Sequence, residues 1–287
     1  MVQSGGSAEF DAFGKRTLLA GTQTLLRGLT ILELIGSGVA NVKGLSDALK
    51  VPRSTITRML HNLVTEGYLY HIPEKGYFLG PRLVNLGDRA REQRPLVGVA
   101  RPYLEALSDQ VLDTIHLGAP TNEGTMIYLD KINGSRGFQM RSRIGLTVPM
   151  AFTGLGKAVL MTMSESEWSN FYSFAANHPR LQNSGPDLKS YEQFCADLLL
   201  SRERGYTFDD EENEIGIRCI AAPVYAEGAP ACAEGAPACA EGERAVAAIS
   251  ISSTLNFMPS ERINLLGPVI MRCAQKISRE LGWSNMK

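Results

Sequence analysis

Val42–Tyr70, VKGLSDALKVPRSTITRMLHNLVTEGYLY, reads as two helices set at an angle by a tight turn, and the rest of the chain is placed by it. Leu45, Ala48 and Leu49 recur at helical spacing over Lys43–Leu49. Val51-Pro52 stops that helix, because a residue before proline is pushed out of the α region. Pro52 then starts the next helix without costing a hydrogen bond. From Arg53 the apolar residues Ile56, Met59, Leu60, Leu63 and Val64 form one stripe. The opposite face carries Arg53, Ser54, Thr55, Thr57, Arg58 and His61, short hydroxyls and cations suited to phosphates and base edges. Gly67 is placed as a C-cap glycine. Tyr68–Ile72, the turn Pro73-Glu74-Lys75-Gly76 and Tyr77–Leu79 complete a small hairpin. Such shapes also occur as plain packing units. The proline start, the hydroxyl and arginine front and the hairpin together predict a winged helix-turn-helix whose default partner is double-stranded DNA.

Lys43, Lys75 and Arg82 flank that front and extend the expected interface. Thr22–Ser37 is predicted as the first helix of the winged domain, with Leu25, Leu29, Leu32 and Ile35 facing inward. Leu26, Ile31 and Leu34 widen that stripe enough to suggest a twin subunit.

Composition is that of a globular protein: 287 residues, 44% hydrophobic and 21% charged, enough for two ordinary domains. Five cysteines, an odd number with no secretory leader, predict a reduced, cytoplasmic protein. No apolar run approaches the ~20 residues of a membrane span. The net charge of −1 hides an asymmetry. Residues 22–80 carry six Lys+Arg against four Asp+Glu, residues 81–101 five against two, and residues 102–287 sixteen against twenty-two. A basic front and an acidic back fit a chain that meets phosphate only in front. The excess is small, so several copies of the domain are expected on one DNA site.

The expected organisation is a Ser/Gly-rich arm over 1–21, the winged domain over 22–80, a linker helix over 81–95 and a second domain over 96–287. The second domain opens with an amphipathic helix, Leu96–Leu112. Strands are expected at Thr114–Gly118, Thr125–Ile132, Phe138–Ile144, Ile215–Tyr225 and Ala245–Ser253. Helices are expected at Thr153–Met163, Glu165–Ala176, Asp187–Arg204 and Pro259–Leu281. Hairpins mixed with helices predict an α+β sensor-like module. AEGAPAC occurs twice in tandem, at Ala226–Cys232 and Ala233–Cys239, and reads as a duplication in an exposed loop. A Cys232–Cys239 disulfide or metal clip is the alternative, and two thiols are too few for a metal.

With the winged domain, Thr153-Gly154-Leu155-Gly156-Lys157-Ala158 and RGYTFDDEENEIGIRCIAAPV over Arg204–Val224, the chain resembles the IclR family of bacterial transcription regulators from about Thr22 to Gly282. TIHLGA, IYLDKI and MRSRIG, between Thr114 and Gly145, look most like the subgroup of the 2-keto-3-deoxygluconate regulon repressor. The resemblance implies a winged helix joined by a helix to a GAF-like effector-binding domain, assembled as a homodimer or a dimer of dimers. It also implies effector contacts at Met140, Gly154, Leu155, Asp209, Cys219, Ser250 and Ser252.

The residues themselves fit that role. Ser250 and Ser252 share one face of a strand, with Ile249 and Ile251 on the other. Cys219 could flank them from the next strand. Gly154 and Leu155 open a helix whose free N–H groups suit a carboxylate. Asp209 could accept ligand hydroxyls, and Met140 offers an adaptable apolar wall. The expected ligand is a small organic acid bearing hydroxyl or keto groups. Plainer readings exist for each: backbone-bonded serines, a small core cysteine, a solvated acidic loop at Asp209–Glu212 and a core histidine at His116.

No catalytic residue, metal or cofactor is expected. Gly156-Lys157 is followed by Ala158, and Ala151 stands where a phosphate loop needs its first glycine. The expectation is a repressor of a catabolic operon, binding a palindromic operator under control of an organic acid. A GAF-like enzyme with a vestigial winged domain, or an architectural DNA binder without effector, are the alternatives.

Overall fold

The structure is a computed structural model that describes residues 22–93, 95–137, 140–178, 189–226 and 244–283. The arm over 1–21 and most of the AEGAPAC repeat, with Cys232 and Cys239, lie outside the described residues. The chain divides into two compact units at Ala90/Arg91.

In the first unit, helices α1 (Gln23–Gly36), α2 (Val42–Leu49) and α3 (Arg53–Thr65) precede the hairpin β1 (Leu69–Ile72) and β2 (Gly76–Leu79), and α4 (Pro81–Glu92) follows. Asn41 caps α2 by accepting from the Gly44 amide at 2.8 Å. Lys50 then takes a left-handed conformation (φ 52°), and Val51 drops into the core. Ser46 ties the corner by donating its hydroxyl to the Val51 carbonyl at 2.7 Å. At the end of α3, Gly67 (φ 73°) donates to Val64 and Tyr68 to Leu63, each at 2.9 Å, which stops the helix and turns the chain into the hairpin. Ile31, Ile35, Leu45, Val51, Ile56, Leu60 and Leu69 form the core. Burying each aliphatic side chain contributes roughly 1.5–3 kcal/mol.

The first helix differs from expectation. Ile35 faces the core as expected and Leu32 packs against it, but Ile31 is buried with them while Leu25 (66% exposed) and Leu29 (49% exposed) lie outside. The buried face is turned by roughly a quarter of a helical rotation from the leucine stripe, because leucine spacing alone does not say which side the other helices cover. Ala48 on α2 is likewise exposed.

The second unit is built on a six-stranded antiparallel sheet in the order β5-β4-β3-β8-β7-β6. Its strands are β3 (Thr114–Pro120), β4 (Thr125–Ile132), β5 (Thr147–Pro149), β6 (Thr207–Asp210), β7 (Ile217–Val224) and β8 (Ala247–Thr254). Helix α5 (Pro95–Val111) and the closing helix α9 (Ser260–Glu280) pack on one face, over Ile115, Leu117, Ile220, Ile249 and Ile251. Helices α6 (Gly154–Leu160), α7 (Glu165–Ala176) and α8 (Tyr191–Arg204) belong with the other face, where Met126, Tyr128, Leu155, Ala221 and Ala248 share a second cluster with Trp168 and Phe194. This is an α+β fold with helices on both sides of the sheet.

Two strands depart from the sequence reading. Met140–Ile144 forms no strand despite its alternation, and the edge strand is Thr147–Pro149, paired with Thr125–Ile127. Alternating residues without a partner strand do not make a ladder. Thr207–Asp210, read as a connection, is the opposite edge strand, so the acidic run starts inside the sheet. Asp209 and Glu212 are buried, which overturns the solvated-loop reading.

Candidate functional site

The exposed face of α3 carries Arg53, Ser54, Thr57, Arg58 and His61, with Thr55 half-buried at its margin. The opposite side is pinned by Ile56 and Leu60, both fully buried, so the polar face has one rotational setting. Thr57 donates its hydroxyl to the Arg53 carbonyl at 2.9 Å. Lys43 on α2 and Lys75 in the hairpin turn are exposed. Arg82 is placed differently from a free phosphate contact. Its Nη1 lies 3.1 Å from the Glu66 carbonyl and 3.2 Å from the Glu66 carboxylate, with the guanidinium over the Tyr68 ring. The hairpin turn is set by Gly76 (φ 98°), where a Cβ would stand 2.3 Å from the Ala40 carbonyl oxygen. That same oxygen accepts from Tyr77 N at 2.9 Å, joining the wing to the α1–α2 connection.

In the second unit, strand register builds a polar strip on the sheet face opposite α5 and α9. Directly opposed residues of an antiparallel pair project to the same side. Asp209 pairs with Cys219, Cys219 with Ser252, and Ser252 with Thr114. One row along, Ala221 pairs with Ser250, Ser250 with His116, and His116 with Lys131. His116 Nδ1 lies 3.4 Å from Ser250 Oγ and 3.3 Å from Ser252 Oγ, and Nε2 lies 2.7 Å from Ser142 Oγ. Burial, helped by the Lys131 charge, pushes His116 down to about 3, so its imidazole is neutral across the physiological range.

The start of α6 closes the other end of the strip. The Gly154 amide donates to Asp209 Oδ2 at 3.3 Å, and a Cβ at Gly154 would lie 3.4–3.6 Å from Cys219, Ala221 and Asp209. The Gly156 amide is taken by its cap, Thr153, at 3.0 Å. Two of the amides expected to be free are therefore occupied within the protein. Asp209 also accepts from Glu212 N at 2.9 Å. Burial first, then the Glu212 charge, raises the Asp209 carboxyl to about 7, so it holds or releases a proton near neutrality. Burial and Asp209 push the Cys219 thiol up, which keeps it protonated rather than nucleophilic. Met140 and Ser252 line a small cleft with Asp113, Thr114, Arg136 and Phe257. All seven residues proposed as ligand contacts thus lie on this strip, at the start of α6 or on the cleft beside them.

Comparison with known proteins places the chain. The IclR helix-turn-helix domain matches residues 24–73, and the domain described as bacterial transcriptional regulator IclR C-terminal matches residues 89–279. The chain belongs to the IclR family of bacterial transcription regulators. It is 30% identical to the HTH-type transcriptional regulator KdgR of Escherichia coli, over 91% of this chain and 93% of that protein. It is 26% identical to the transcriptional repressor IclR of Escherichia coli, over 91% of this chain and 90% of that protein. An IclR homologue from Microbacterium hydrocarbonoxydans, crystallised with 4-hydroxybenzoate, shares the fold at a TM-score of 0.72 with 20% identity, covering 91% of this chain and all of that one. The similarities of these relatives are too even to single out a subgroup.

As an IclR-family member the chain is a DNA-binding transcription regulator, not an enzyme. The Gly156-Lys157 pair serves packing. Lys157 Nζ is fully buried and is held by Asp197 at 2.6 Å, by Glu212 at 2.8 Å and by the Phe208 carbonyl. Lys189 adds a second cation, 2.9 Å from Glu212. Among the described residues no group of His, Cys, Asp and Glu could hold a metal ion, and no helix is long and apolar enough to cross a membrane. Sequence reasoning gave no binding role to His116, Ser142 or Lys131. Alternation with Ile115 and Leu117 puts His116 on the polar face, but its meeting with Ser250 depends on β3 pairing with β8, strands 134 residues apart in the chain at that contact.

Proposed function

We propose that this IclR-family regulator is a repressor of a catabolic operon that releases its operator when a small organic acid bearing hydroxyl or keto groups occupies the polar strip of the second unit. The observation that carries this reading is the two-row alignment of Asp209, Cys219 and Ser252 beside Ser250 and His116, at the start of α6. A buried sheet face built from hydroxyls, an imidazole and a carboxyl poised near neutrality is the kind of perturbed cluster that gathers at functional sites. Two relatives support the reading: the Escherichia coli protein is a repressor, and the Microbacterium homologue holds 4-hydroxybenzoate, a small hydroxyacid.

Arg53, Ser54, Thr55, Thr57, Arg58 and His61 read bases or phosphates in the major groove, while Lys43 and Lys75 flank the DNA backbone and Arg82 braces the end of α3. The protein acts as a homodimer or a dimer of dimers on a palindromic site. Leu25 and Leu29 on α1, with Val84 and Leu86 on α4, remain exposed and supply apolar surface for a twin subunit. The α4 helix begins directly after the wing and continues to the boundary between units, so it is the element through which occupancy shifts the front domains.

The experiment is selection of DNA from a random pool with purified protein, followed by release titrations with pyruvate, D-gluconate and 4-hydroxybenzoate. An enriched palindrome released by at least one acid is the expected result. No enriched site, or a site that none of the acids releases, overturns the reading.

A further inference from the structure

Several charged groups of the second unit are matched to opposite charges at short range. Asp113 holds Arg136 at 2.9 Å and Arg262 at 2.5 Å, Asp130 holds Arg101 at 2.9 Å, and Lys157 holds Asp197 and Glu212. Lys131 is the cation held otherwise. It is partly buried, and its Nζ donates to two neutral acceptors, the carbonyls of Met140 and Ser142, each at 2.9 Å. Among the described residues no ion pair includes Lys131. An ammonium has three donors, so two carbonyl bonds leave one donor unused, and the one carboxylate acting on its charge, Glu214, lies beyond ion-pair distance. A cation withdrawn from water onto neutral acceptors is an incomplete arrangement that a carboxylate would complete.

The position of Lys131 is specific. It stands across from His116 in the row that continues to Ser250, and its two acceptors belong to the loop that carries Met140 and the Ser142 hydroxyl bonded to His116. Burial pushes the Lys131 ammonium down, and the Glu214 charge only partly offsets it. Next to it, Ser142, Ser250 and Ser252 surround a neutral imidazole with hydroxyls whose hydrogens rotate to suit either a donor or an acceptor.

We infer that Lys131 is the charge partner of the effector's carboxylate, with the rest of the acid lying along His116, Ser250 and Ser252. This assignment rests on the effector reading above and adds to it the orientation of the acid. It makes the site selective for acids over their uncharged analogues, since a neutral amide gains the hydroxyl contacts but leaves the Lys131 charge unmatched.

The test is calorimetric titration of the full-length protein with pyruvate, D-gluconate and 4-hydroxybenzoate, each beside its own amide. Wild type is expected to bind at least one acid more tightly than its amide by about ten-fold or more. Lys131→Gln should bring that acid down to the affinity of the amide and leave the amide unchanged. Lys131→Arg, which keeps the charge and confirms that the fold tolerates change there, should stay within about three-fold of wild type for the acid. The double variant Ser250→Ala, Ser252→Ala should weaken acid and amide alike. If Lys131→Gln binds the acid as wild type does, or if the acid and amide bind wild type equally, the Lys131 assignment is overturned while the effector reading stands. If wild type binds none of the acids, both fall together.

Discussion

Arg82, in the first turn of α4, folds back onto Glu66 at the end of α3, with one Nη1 within 3.2 Å of both the carbonyl and the carboxylate of that residue. The guanidinium therefore caps the recognition helix and is neutralised locally, whereas Arg58, on the exposed face of the same helix, has no carboxylate partner among the described ion pairs. Both residues were expected to meet DNA, and their surroundings separate their roles. Arg58→Ala should reduce the slope of log affinity against log salt by about one phosphate equivalent. Arg82→Ala should change that slope by less than half as much, the exposed ion pair with Glu66 contributing at most about 1 kcal/mol to stability. Anisotropy titrations at several salt concentrations read both slopes, and equal slopes for the two variants would refute the distinction.

Gly76 sets the wing. Its φ of 98° and the 2.3 Å separation between an added Cβ and the Ala40 oxygen leave no room for a side chain. Gly76→Ala should destabilise the winged unit by about 2 kcal/mol or more. Urea unfolding followed by circular dichroism checks this. A shift below about 0.5 kcal/mol would mean the turn adapts without cost.

The serine pair is the hydroxyl-bearing centre of the strip. The double variant Ser250→Ala, Ser252→Ala leaves His116 Nδ1 without its two hydroxyl neighbours and should raise the acid concentration for half-release of DNA by roughly ten-fold or more. Release at the wild-type concentration would place the effector elsewhere.

Asp209 makes acid binding depend on pH. It faces Glu212 across a backbone bond, Lys157 beneath it and the Cys219 thiol beside it. With its carboxyl raised to about 7, lowering the pH from 8 to 6 adds a proton and removes a negative charge from the strip. An anionic acid should therefore bind more tightly at pH 6 than at pH 8, and Asp209→Asn should flatten the profile. His116, held near 3, does not titrate in this window. The two groups affect stability oppositely. A carboxyl raised from 3.8 is protonated first in the folded state, so it costs stability as pH rises from about 4 to 7. A histidine lowered from 6.5 favours the folded state above 6.5 and loses that contribution as pH falls toward 3. Binding profiles, rather than melting curves, isolate Asp209. An affinity for the acid that stays flat between pH 6 and 8 in wild type would refute the assignment.

The helix-turn-helix was legible because its signals are local. Pro52, the capping position of Gly67 and the 3.6-residue spacing of Ile56 and Leu60 act over one or two turns and need no distant partner. The serine alternation on β8 was legible for the same reason, since period two fixes which residues share a face. Alternation misled at Met140–Ile144, where no strand lies alongside to accept the ladder. Leucine spacing misled on α1, where Ile31 joined Ile35 in the core and Leu25 and Leu29 stayed outside.

By itself, the order of residues determined the polar front of α3, the two-part organisation and the apolar and hydroxyl faces of each strand, because these follow from backbone geometry within a few residues. Only the tertiary structure decided that β6 joins the sheet, that His116 meets both serines, that Arg82 turns to Glu66 and that Lys131 ends on two carbonyls. Those meetings depend on which strands and turns become neighbours, and that is settled by the packing of the whole domain rather than by any short stretch of it.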